Sequence, residues 1–314
     1  MVERIKFMKT VDRIIFKMGS KEEYLPGYSE NFPYIASYVE LDKYPERSAP
    51  WHWHSALELF YIEKGALEYF TPQGKQIFPE GFGGLVNSNV LHMTKLQPIT
   101  THNISLIHLF DPVFLSGEKG NRIDQKYVMP FIGNARIELI SLIPGEPKQD
   151  EVLRLLRDSF LLQENEKGYE LKLREKLSEI WLKILEIAEE KLGSKLDEKP
   201  VYHKANDQIK QMMRYIQEHY PEKLSIARLA NAAFLSERGC YRVFRECLHM
   251  TPIDYLTSYR LQMACQMLTK GDAALVEISQ SCGFGSSSYF GKIFKEKIGC
   301  TPLEYRRKWQ DNDI

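Results

Sequence analysis

The last third of the chain contains the same short pattern twice, at a constant offset of 50 residues. The segment FLSERGCYRVFRECLHMTPIDY at 234–255 aligns with FGSSSYFGKIFKEKIGCTPLEY at 284–305. Apolar residues recur at three- and four-residue intervals in both copies, and this spacing predicts amphipathic helices. Stacked repeat arrays need three or more copies to bury their faces, so two copies favour a paired unit within one domain.

Each copy predicts a short helix, a tight turn and a second helix. Ser225 and Ser236 are candidate N-caps of the two helices in the first copy. In the second copy, Gly283 suits the left-handed end of the first helix. An apolar stripe and a basic outer face on the second helix are typical of a helix-turn-helix unit, whose second helix enters the major groove. Pro252–Lys270, between the copies, predicts one helix of about 28 Å. Such a spacer would place two recognition helices about one DNA turn, 34 Å, apart.

The second copy carries GFxxxSYFxxxFKxxxGxTPxEYR, from Gly283 to Arg306, which closely resembles the signature of the AraC/XylS family of bacterial transcription regulators. The resemblance implies a domain with two helix-turn-helix units that binds direct repeats in double-stranded promoter DNA, in a regulator and not an enzyme. The implied DNA-contacting residues, with Arg245 added from the basic face, are Arg238, Tyr241, Arg242, Arg245, Ser287, Ser288, Gly291 and Lys292.

Each of these residues also has a simpler interpretation. Arg238 and Arg242 could contact only phosphates, which position a protein without reading sequence. Ser287 and Ser288 could only cap their helix. Tyr289, which lies beside them, is expected in the core. Gly239 lies inside the first recognition helix, where glycine costs about 1 kcal/mol relative to alanine.

The first 145 residues have the pattern of a β-domain. Segments of five to nine residues, rich in Tyr, Phe, Ile and Val, alternate with turns that contain Gly, Pro and Asn, as in YIASYVEL, LELFYIEKG and HNISLIHLF. This alternation predicts an antiparallel sandwich or barrel. The fold class is therefore multi-domain α+β, with an N-terminal antiparallel β-barrel, then helices, then an all-α domain.

A change of period at about residue 146 marks the next region. Two amphipathic helices are predicted within 146–193, with the polar turn ENEKG between them. The apolar face of the second helix either packs on the strands or forms a dimer interface, and both are possible together. Residues 194–205 are polar and lack a period, so they are predicted to be a linker before the DNA-binding domain at 206–314.

The stretch PWHWHSALELFYIEKG at 50–65 concentrates polar chemistry in an apolar setting. In an unbroken strand, His52, His54 and Glu58 would share one face, because alternate side chains point to the same side. His92 follows the later segment GLVNSNV.

This spacing resembles the first motif of the cupin superfamily, with His92 at the position of the second-motif histidine. The resemblance implies a cupin-like barrel with His52, His54, Glu58 and His92 as possible ligands of a divalent metal. Two departures bear on this: Glu46 replaces the glycine that precedes the first histidine, and Asn87 and Asn89 replace the second motif's proline and glycine.

Three functions remain open for this cluster. AraC-like regulators commonly carry a cupin-like domain that binds a small effector, often a sugar, without catalysis. Imidazoles, a carboxylate, amides and aromatic faces suit such a ligand, and they predict an effector site of His52, His54, Glu58, His92, Trp53 and Asn87. The alternative is a metal-dependent cupin domain, either an enzyme or a metal sensor, fused to the DNA-binding module. No cofactor is required by the first hypothesis, and a divalent metal is possible in both. His102 and His108 could line the same cavity, although satisfied core or surface positions are expected for them.

The bulk properties agree with a regulator. Residues 204–314 contain 16 Lys and Arg against 12 Asp and Glu, a net charge of +4, and the preceding residues carry −4. The five cysteines fit neither a zinc motif nor a disulfide framework. Without a signal-peptide core or a long apolar run, a cytoplasmic location is expected. The expected partners are promoter DNA, a small effector, a second copy of the chain and, for an activator, RNA polymerase. The sequence does not distinguish activator from repressor.

Overall fold

The computed structural model describes residues 8–11, 14–15, 22–25, 27–29, 31–44, 47–193, 204–248, 250–271 and 273–310. Among them, the residues up to 193 form one compact unit and those from 204 onward form a second. Most of the predicted linker, 194–203, lies outside the described residues. Its last two positions belong to a helix that begins at Lys204.

The N-terminal unit begins with ten strands. They are β1 Lys9–Val11, β2 Tyr34–Val39, β3 Ser48–His52, β4 Leu57–Lys64, β5 Ala66–Thr71, β6 Gly74–Pro79, β7 Gly83–Val86, β8 His92–Leu96, β9 Ile104–Phe110 and β10 Leu139–Leu142.

The strands form two sheets, of order β1-β2-β9-β4-β7-β10 and β3-β8-β5-β6. Every pairing is antiparallel except that of β1 with β2. The prediction of a β-rich N-terminal region is therefore confirmed, but the described strands make two separate sheets and not a closed barrel. At residues 53–56 the chain leaves the four-stranded sheet after β3 and enters the six-stranded sheet at β4.

Apolar side chains fill the space between the two sheets, and a second core lies on the opposite face of the six-stranded sheet. Four α-helices occur among the described residues of this unit: α1 Val113–Ser116, α2 Met129–Ile132, α3 Pro147–Ser159 and α4 Tyr169–Leu192. Leu173, Leu177, Ile180, Trp181 and Ile184 on α4 are buried in that second core, so packing on the strands is confirmed.

The C-terminal unit contains seven helices in its described residues. They are α5 Lys204–His219, α6 Ile226–Ala232, α7 Glu237–Leu248, α8 Pro252–Lys270, α9 Leu275–Ser281, α10 Ser287–Ile298 and α11 Pro302–Gln310. The 50-residue repeat thus corresponds to two helix pairs, α6–α7 and α9–α10, and α8 has the predicted bounds. Among the described helices of both units, none combines the length and the hydropathy needed to cross a membrane.

Local caps explain why these short helices begin where they do. Ser225 accepts a hydrogen bond from the Arg228 backbone N–H at the start of α6. Ser236 accepts one from the Gly239 N–H at the start of α7. Thr251 and Asp254 form a reciprocal capping box on α8, which satisfies backbone donors that the helix itself cannot use.

Candidate functional site

The two sheets bring the predicted histidines and glutamate together from opposite sides. His52 is the last residue of β3 and pairs with His92, the first residue of β8. Glu58 lies on β4 in the facing sheet, and His54 lies in the crossing segment between β3 and β4. The strand is therefore broken, contrary to prediction, and the cluster forms because the chain crosses from one sheet to the other.

One nitrogen or oxygen of each of these four side chains lies within 4.8 Å of the others, and all four residues are buried. His54 Nε2 and His92 Nε2 lie 3.3 and 3.4 Å from the same Glu58 oxygen, Oε2. We refer to His52, His54, Glu58 and His92 as the His/Glu cluster.

The other nitrogen of each ring fixes the tautomer that the neutral ring adopts. Nδ1 of His52 is 2.7 Å from the carbonyl oxygen of Pro50, and Nδ1 of His54 is 2.9 Å from that of Ala56. Nδ1 of His92 is 2.9 Å from the carbonyl oxygen of Val90. A carbonyl oxygen only accepts, so each Nδ1 carries the proton and each neutral ring presents a lone pair on Nε2. Histidine metal ligands are held in this way.

Lone pairs that face a carboxylate are stabilised by a cation between them, either a metal ion or a proton on Nε2. With neutral rings, His54 Nε2, His92 Nε2 and Glu58 Oε2 are all acceptors, and acceptors at this distance repel. His92 Nε2 is buried and has no hydrogen bond of acceptable geometry to the described residues. Three nitrogens and one carboxylate oxygen form a donor set suited to Fe, Mn, Ni or Zn. The residues present therefore fit a divalent metal.

The electrostatics favour the same assignment. Burial lowers the pKa of His52 well below its usual range, and the neighbouring His92 and His54 lower it further. Burial alone would raise the pKa of Glu58, but hydrogen bonds from protonated His54 and His92, together with their positive charge, outweigh it and hold this pKa well below the usual range. A metal ion between neutral rings would take over this role. The site thus contains a carboxylate that positive charge stabilises and an imidazole that resists protonation.

Two further residues of the site escaped the sequence analysis. Tyr69 on β5 donates a hydrogen bond from its hydroxyl to Glu58 Oε1, at 3.1 Å. Glu23 is buried, and its Oε2 lies 3.8 Å from His52 Nε2. Burial raises the pKa of Glu23 to about 7, which the charge of His54 partly opposes and that of Glu58 reinforces. Glu23 reaches the cluster through a backbone hydrogen bond to Trp53, a long-range pairing that no local pattern predicts.

A cavity of about 170 Å³ lies beside the cluster and between the two sheets. His52, Glu58 and His92 line it together with Glu23 and Tyr69. Most of the remaining lining is apolar, and includes Leu25, Ile35, Val39, Leu41, Leu67 and Leu109.

Two predicted effector residues lie elsewhere. Trp53 is buried but does not line this cavity. Asn87 also lies outside the cavity lining: its amide donates to the carbonyl oxygen of Ile137 and its Oδ1 accepts from the Ser88 N–H. Asn89 adopts φ of 59° and donates its backbone N–H to the His54 carbonyl oxygen. Asparagine tolerates this left-handed conformation, so the turn before His92 forms without the glycine of the cupin motif.

The other two histidines considered for the cavity, His102 and His108, behave as the simpler interpretation predicts. His102 is at the surface and pairs with Asp42 at 3.3 Å. His108 is fully buried between Tyr34 and Ser159, with contacts of 2.6 and 2.8 Å. Neither lines the cavity.

The outer face of α7 is basic and exposed. Arg238, Arg242 and Arg245 are solvent-exposed, and Tyr241 is 38% exposed. Cys240, Val243, Phe244 and Cys247 are buried on the opposite side, as the stripe predicts. Arg242 lies 4.0 Å from Glu246, a contact between exposed side chains that is weak in water.

The outer face of α10 is smaller and less charged. Ser288 and Lys292 are exposed, and Gly291 is half-buried, with open space where a Cβ would stand. Ser287 is half-buried and lies 3.2 Å, hydroxyl to hydroxyl, from Ser279 on α9. The N-cap is Ser286, whose hydroxyl accepts from the Tyr289 N–H, so neither Ser287 nor Ser288 caps the helix. Tyr289 is 52% exposed, and the prediction that it belongs to the core is wrong.

The turn between α9 and α10 is one residue longer than the turn between α6 and α7. Gly283 has φ of 75°, and a Cβ there would meet the Tyr220 carbonyl oxygen at 2.5 Å. Phe234 holds the equivalent position, with φ of 54° and 92% exposure. Leu235 therefore corresponds in structure to Phe284, because each donates its N–H to a carbonyl five residues back.

Comparison with known proteins supports the assignment of the C-terminal unit. Residues 229–308 match a family described as "Helix-turn-helix domain". The chain is 27% identical over 259 residues to the uncharacterized HTH-type transcriptional regulator YdeC of Bacillus subtilis (strain 168), covering 82% of this chain and 86% of that protein. It is 25% identical over 264 residues to the probable transcriptional regulator LumQ of Photobacterium leiognathi, covering 83% of this chain and 93% of that protein.

Among solved structures, the chain is similar to a transcriptional regulator from Chromobacterium violaceum with an AraC-type DNA-binding domain. The two are 26% identical, with a TM-score of 0.32, and the match covers 33% of this chain and 93% of that chain. Family match and relatives agree with the geometry of the two helix pairs. The C-terminal unit therefore carries a DNA-binding helix-turn-helix domain of the AraC type, and the relatives of the chain are AraC-family transcriptional regulators, which are not enzymes.

Proposed function

We propose that the chain is a transcription regulator whose DNA binding responds to a divalent metal and a small molecule held together in the N-terminal unit. The observation that carries this proposal is the orientation of the His/Glu cluster. Three imidazoles are held through Nδ1 by backbone carbonyls, and Nε2 of His54 and of His92 lies 3.3 and 3.4 Å from Glu58 Oε2, at the wall of a cavity. A cluster that served only to fill the core would have no need of convergent lone pairs.

His52, His54, Glu58 and His92 would hold the metal. Bound there, a divalent ion supplies positive charge and open coordination positions at the cavity wall. Tyr69 orients the carboxylate through its hydrogen bond to Glu58, and the backbone carbonyls orient the rings. The protein itself excludes water by burial of all four ligands.

A metal sensor is the second candidate function, in which the ion alone is the signal. The buried cluster supports it equally well. The cavity favours the small-molecule sensor, because a site that reads only the ion needs no ligand-sized space beside it. The lining of the cavity bears on whether this small molecule is a sugar, as the sequence leads one to expect.

The signal would leave the cavity through β9. Ile107 and Leu109 on this strand line the cavity, and His108 between them points to the other face. There His108 Nε2 lies 2.8 Å from the hydroxyl of Ser159, at the end of α3. A ligand that shifts β9 would therefore shift the helical segment 146–193, which we propose transmits the signal and forms the interface of a homodimer. Such a response requires that the ligand bind the two arrangements with different affinity.

DNA would be read by both helix pairs on one direct-repeat site in a promoter. The exposed residues of α7, Arg238, Tyr241, Arg242 and Arg245, would enter one major groove, and Ser288, Gly291 and Lys292 of α10 the next. Ser287 would act mainly through its contact with α9. This mode of action places the chain in the cytoplasm with the DNA and, for an activator, beside RNA polymerase.

The test starts from the full chain and a random-sequence duplex library. Selection is expected to recover sites with two half-sites about one helical turn apart. Arg242→Ala should weaken binding to the selected site by about 1–3 kcal/mol and relax the preference at one base pair. Arg154→Ala, a surface arginine on α3, is the matched control and should leave binding unchanged.

Affinity for the selected site is then measured with metal added and with metal removed by a chelator. A change in affinity is expected for the native chain, and no change for Glu58→Gln. Failure to select any duplex sequence would contradict the DNA-binding half of the proposal, and metal-independent binding of the native chain would contradict the sensor half.

A further inference from the structure

We infer that the small molecule is an organic acid with one polar head and a compact apolar body about the size of a six-membered ring. This inference rests on the proposed metal site and adds the chemical class of its ligand. It replaces the expectation of a sugar, and it is carried by the way strand pairing distributes polar groups along the cavity.

The four-stranded sheet has its polar groups at one end. His52 pairs with His92, and these two side chains form the first row across the sheet. The next row contains Ala49, Thr94 and Tyr69. Tyr69 directs its hydroxyl back to Glu58, so polarity falls from one row to the next.

The six-stranded sheet repeats this gradient on the facing wall. Glu58 stands in the first row, beside Leu109 and then Ile35. The following row places Ile107 beside Ser37. Ionisable groups are therefore confined to the end of the cavity that holds the His/Glu cluster, and the rest of the wall is apolar apart from isolated hydroxyls.

Cavity size limits the apolar body. The volume is about 170 Å³, and an engineered protein cavity of about 150 Å³ lined by aliphatic side chains stays dry and binds benzene. A six-membered ring or a branched chain of similar bulk fits this space, with its head directed at the cluster.

A sugar fits poorly, because it carries hydroxyls on every side. Hydroxyls that face the apolar rows would lack partners, and each buried unsatisfied polar group costs about 1–3 kcal/mol. The hydroxyl of Ser105, one of the few polar groups in those rows, already contacts Asn103 Oδ1 at 3.4 Å. The wall thus selects against polyhydroxylated ligands.

Charge selects the head group. The ion with its four ligands, three neutral imidazoles and one carboxylate, carries a net charge of +1 and favours an anionic head. The Glu23 carboxyl, 3.8 Å from His52, lowers that charge to zero when it is ionised. Without the ion, the site would be negative and would repel an acid. Binding of the acid is therefore coupled to binding of the metal.

The test uses the full chain loaded with Co2+, whose visible absorption reports a new ligand on the metal. Probes are benzoate, cyclohexanecarboxylate, benzyl alcohol and glucose, titrated by calorimetry and followed in the cobalt spectrum. At least one of the two acids is expected to bind and to alter the spectrum. It should bind at least about tenfold more tightly than benzyl alcohol, which lacks the charged head, and glucose should not bind.

Ala49→Leu adds bulk in the second row without touching a metal ligand. It should retain cobalt and weaken binding of the acid at least about tenfold. Ala66→Leu, on β5 with its side chain on the outer face of the same sheet, is the matched control and should bind the acid like the native chain. Ser37→Leu blocks the facing wall and provides a second variant if Ala49→Leu does not fold.

The outcomes distinguish a wrong ligand class from a wrong metal site. If cobalt binds but neither acid does, or if glucose binds more tightly than the acids, the ligand class is wrong and the metal site stands. If the native chain binds no cobalt, the proposed metal site fails, and this inference fails with it. Binding of an acid that Ala49→Leu leaves unchanged would place the ligand outside the cavity and overturn the inference.

Discussion

Among the described residues of the N-terminal unit, the buried histidines of the His/Glu cluster differ from the buried His108 in where their ring nitrogens point. In the His/Glu cluster, Nδ1 of each ring donates to a backbone carbonyl and Nε2 faces the other ligands. His108 has the opposite arrangement. The Ser159 hydroxyl donates to the Leu156 carbonyl oxygen at 2.6 Å, so it accepts from His108 Nε2–H, and His108 Nδ1 accepts from the Tyr34 hydroxyl.

This difference shows that burial alone does not identify a functional histidine. His108 is 0% exposed and His92 is 1% exposed, yet only His92 has a lone pair that no described protein donor satisfies. His108 also stacks on Phe160, with ring centroids 3.8 Å apart, which fits a part of the core. A histidine whose lone pair converges with others on a carboxylate belongs to a site.

The largest effect is expected when one imidazole is removed from the cluster. His92→Gln should lower the affinity for Zn2+ by at least about 100-fold, since loss of a ligand exceeds the 10–100-fold loss seen for outer-shell partners. Competition with a coloured chelator measures the affinity. His102→Gln, at the surface histidine, is the matched control, and equal affinity of the two variants would refute the assignment.

Removal of His108 should have the reverse effects. His108→Leu leaves the Tyr34 hydroxyl without its nitrogen partner, and is expected to lower the free energy of unfolding by about 1–3 kcal/mol. Denaturant unfolding of the metal-free chain measures this change. Zinc affinity should match that of the native chain, and a loss of zinc binding in a folded His108→Leu variant would contradict the distinction between the two groups.

Acid should reveal His108 as well. Burial lowers its pKa to about 3 from 6.5, so between these values the unfolded chain binds a proton at this residue and the folded chain does not. The free energy of unfolding therefore falls as pH is lowered below about 6.5, with a contribution of at most about 1.4 kcal/mol per pH unit. Above that pH the contribution is constant. His108→Leu should show a shallower acid dependence than the native chain, and identical slopes would count against a neutral buried His108.

The smallest effect is expected at the residue that supports the carboxylate. Tyr69→Phe removes the hydrogen bond to Glu58 and keeps the ring stacked on Phe60, at a centroid distance of 4.2 Å. Zinc affinity should fall about tenfold, the lower end for an outer-shell partner. Tyr61→Phe, a tyrosine in the second core, provides the control. A Tyr69→Phe chain that binds zinc like the control would show that Glu58 needs no such support.

Sequence reasoning succeeded where the interactions are local. The caps at Ser225 and Ser236 and the bounds of α8 follow from local patterns in the sequence. The residues of the His/Glu cluster were also found, from their spacing and from the resemblance to the cupin motifs, although the unbroken strand is wrong. His52 and Glu58 lie on two facing sheets because the chain crosses between them, whereas the pattern placed both on one face of a single strand.

What the sequence did not predict depends on pairing between distant strands. Tyr69 reaches Glu58 because β5 pairs with β8 in a particular register, and Glu23 reaches His52 through a bridge next to Trp53. Trp53 does not line the cavity, and the amide of Asn87 donates to backbone carbonyls at 131–137 instead of facing the cavity. Division of the strands into two sheets is likewise a long-range property.

The most direct test of the account is X-ray absorption spectroscopy of the zinc-loaded full chain. Three imidazole nitrogens are expected at about 2.0–2.1 Å from the zinc ion, with oxygen completing its coordination shell. All five cysteines are free thiols, and sulfur is a common zinc ligand at about 2.3 Å. Sulfur scattering, or fewer than three imidazoles, would contradict the assignment of the His/Glu cluster as the metal site.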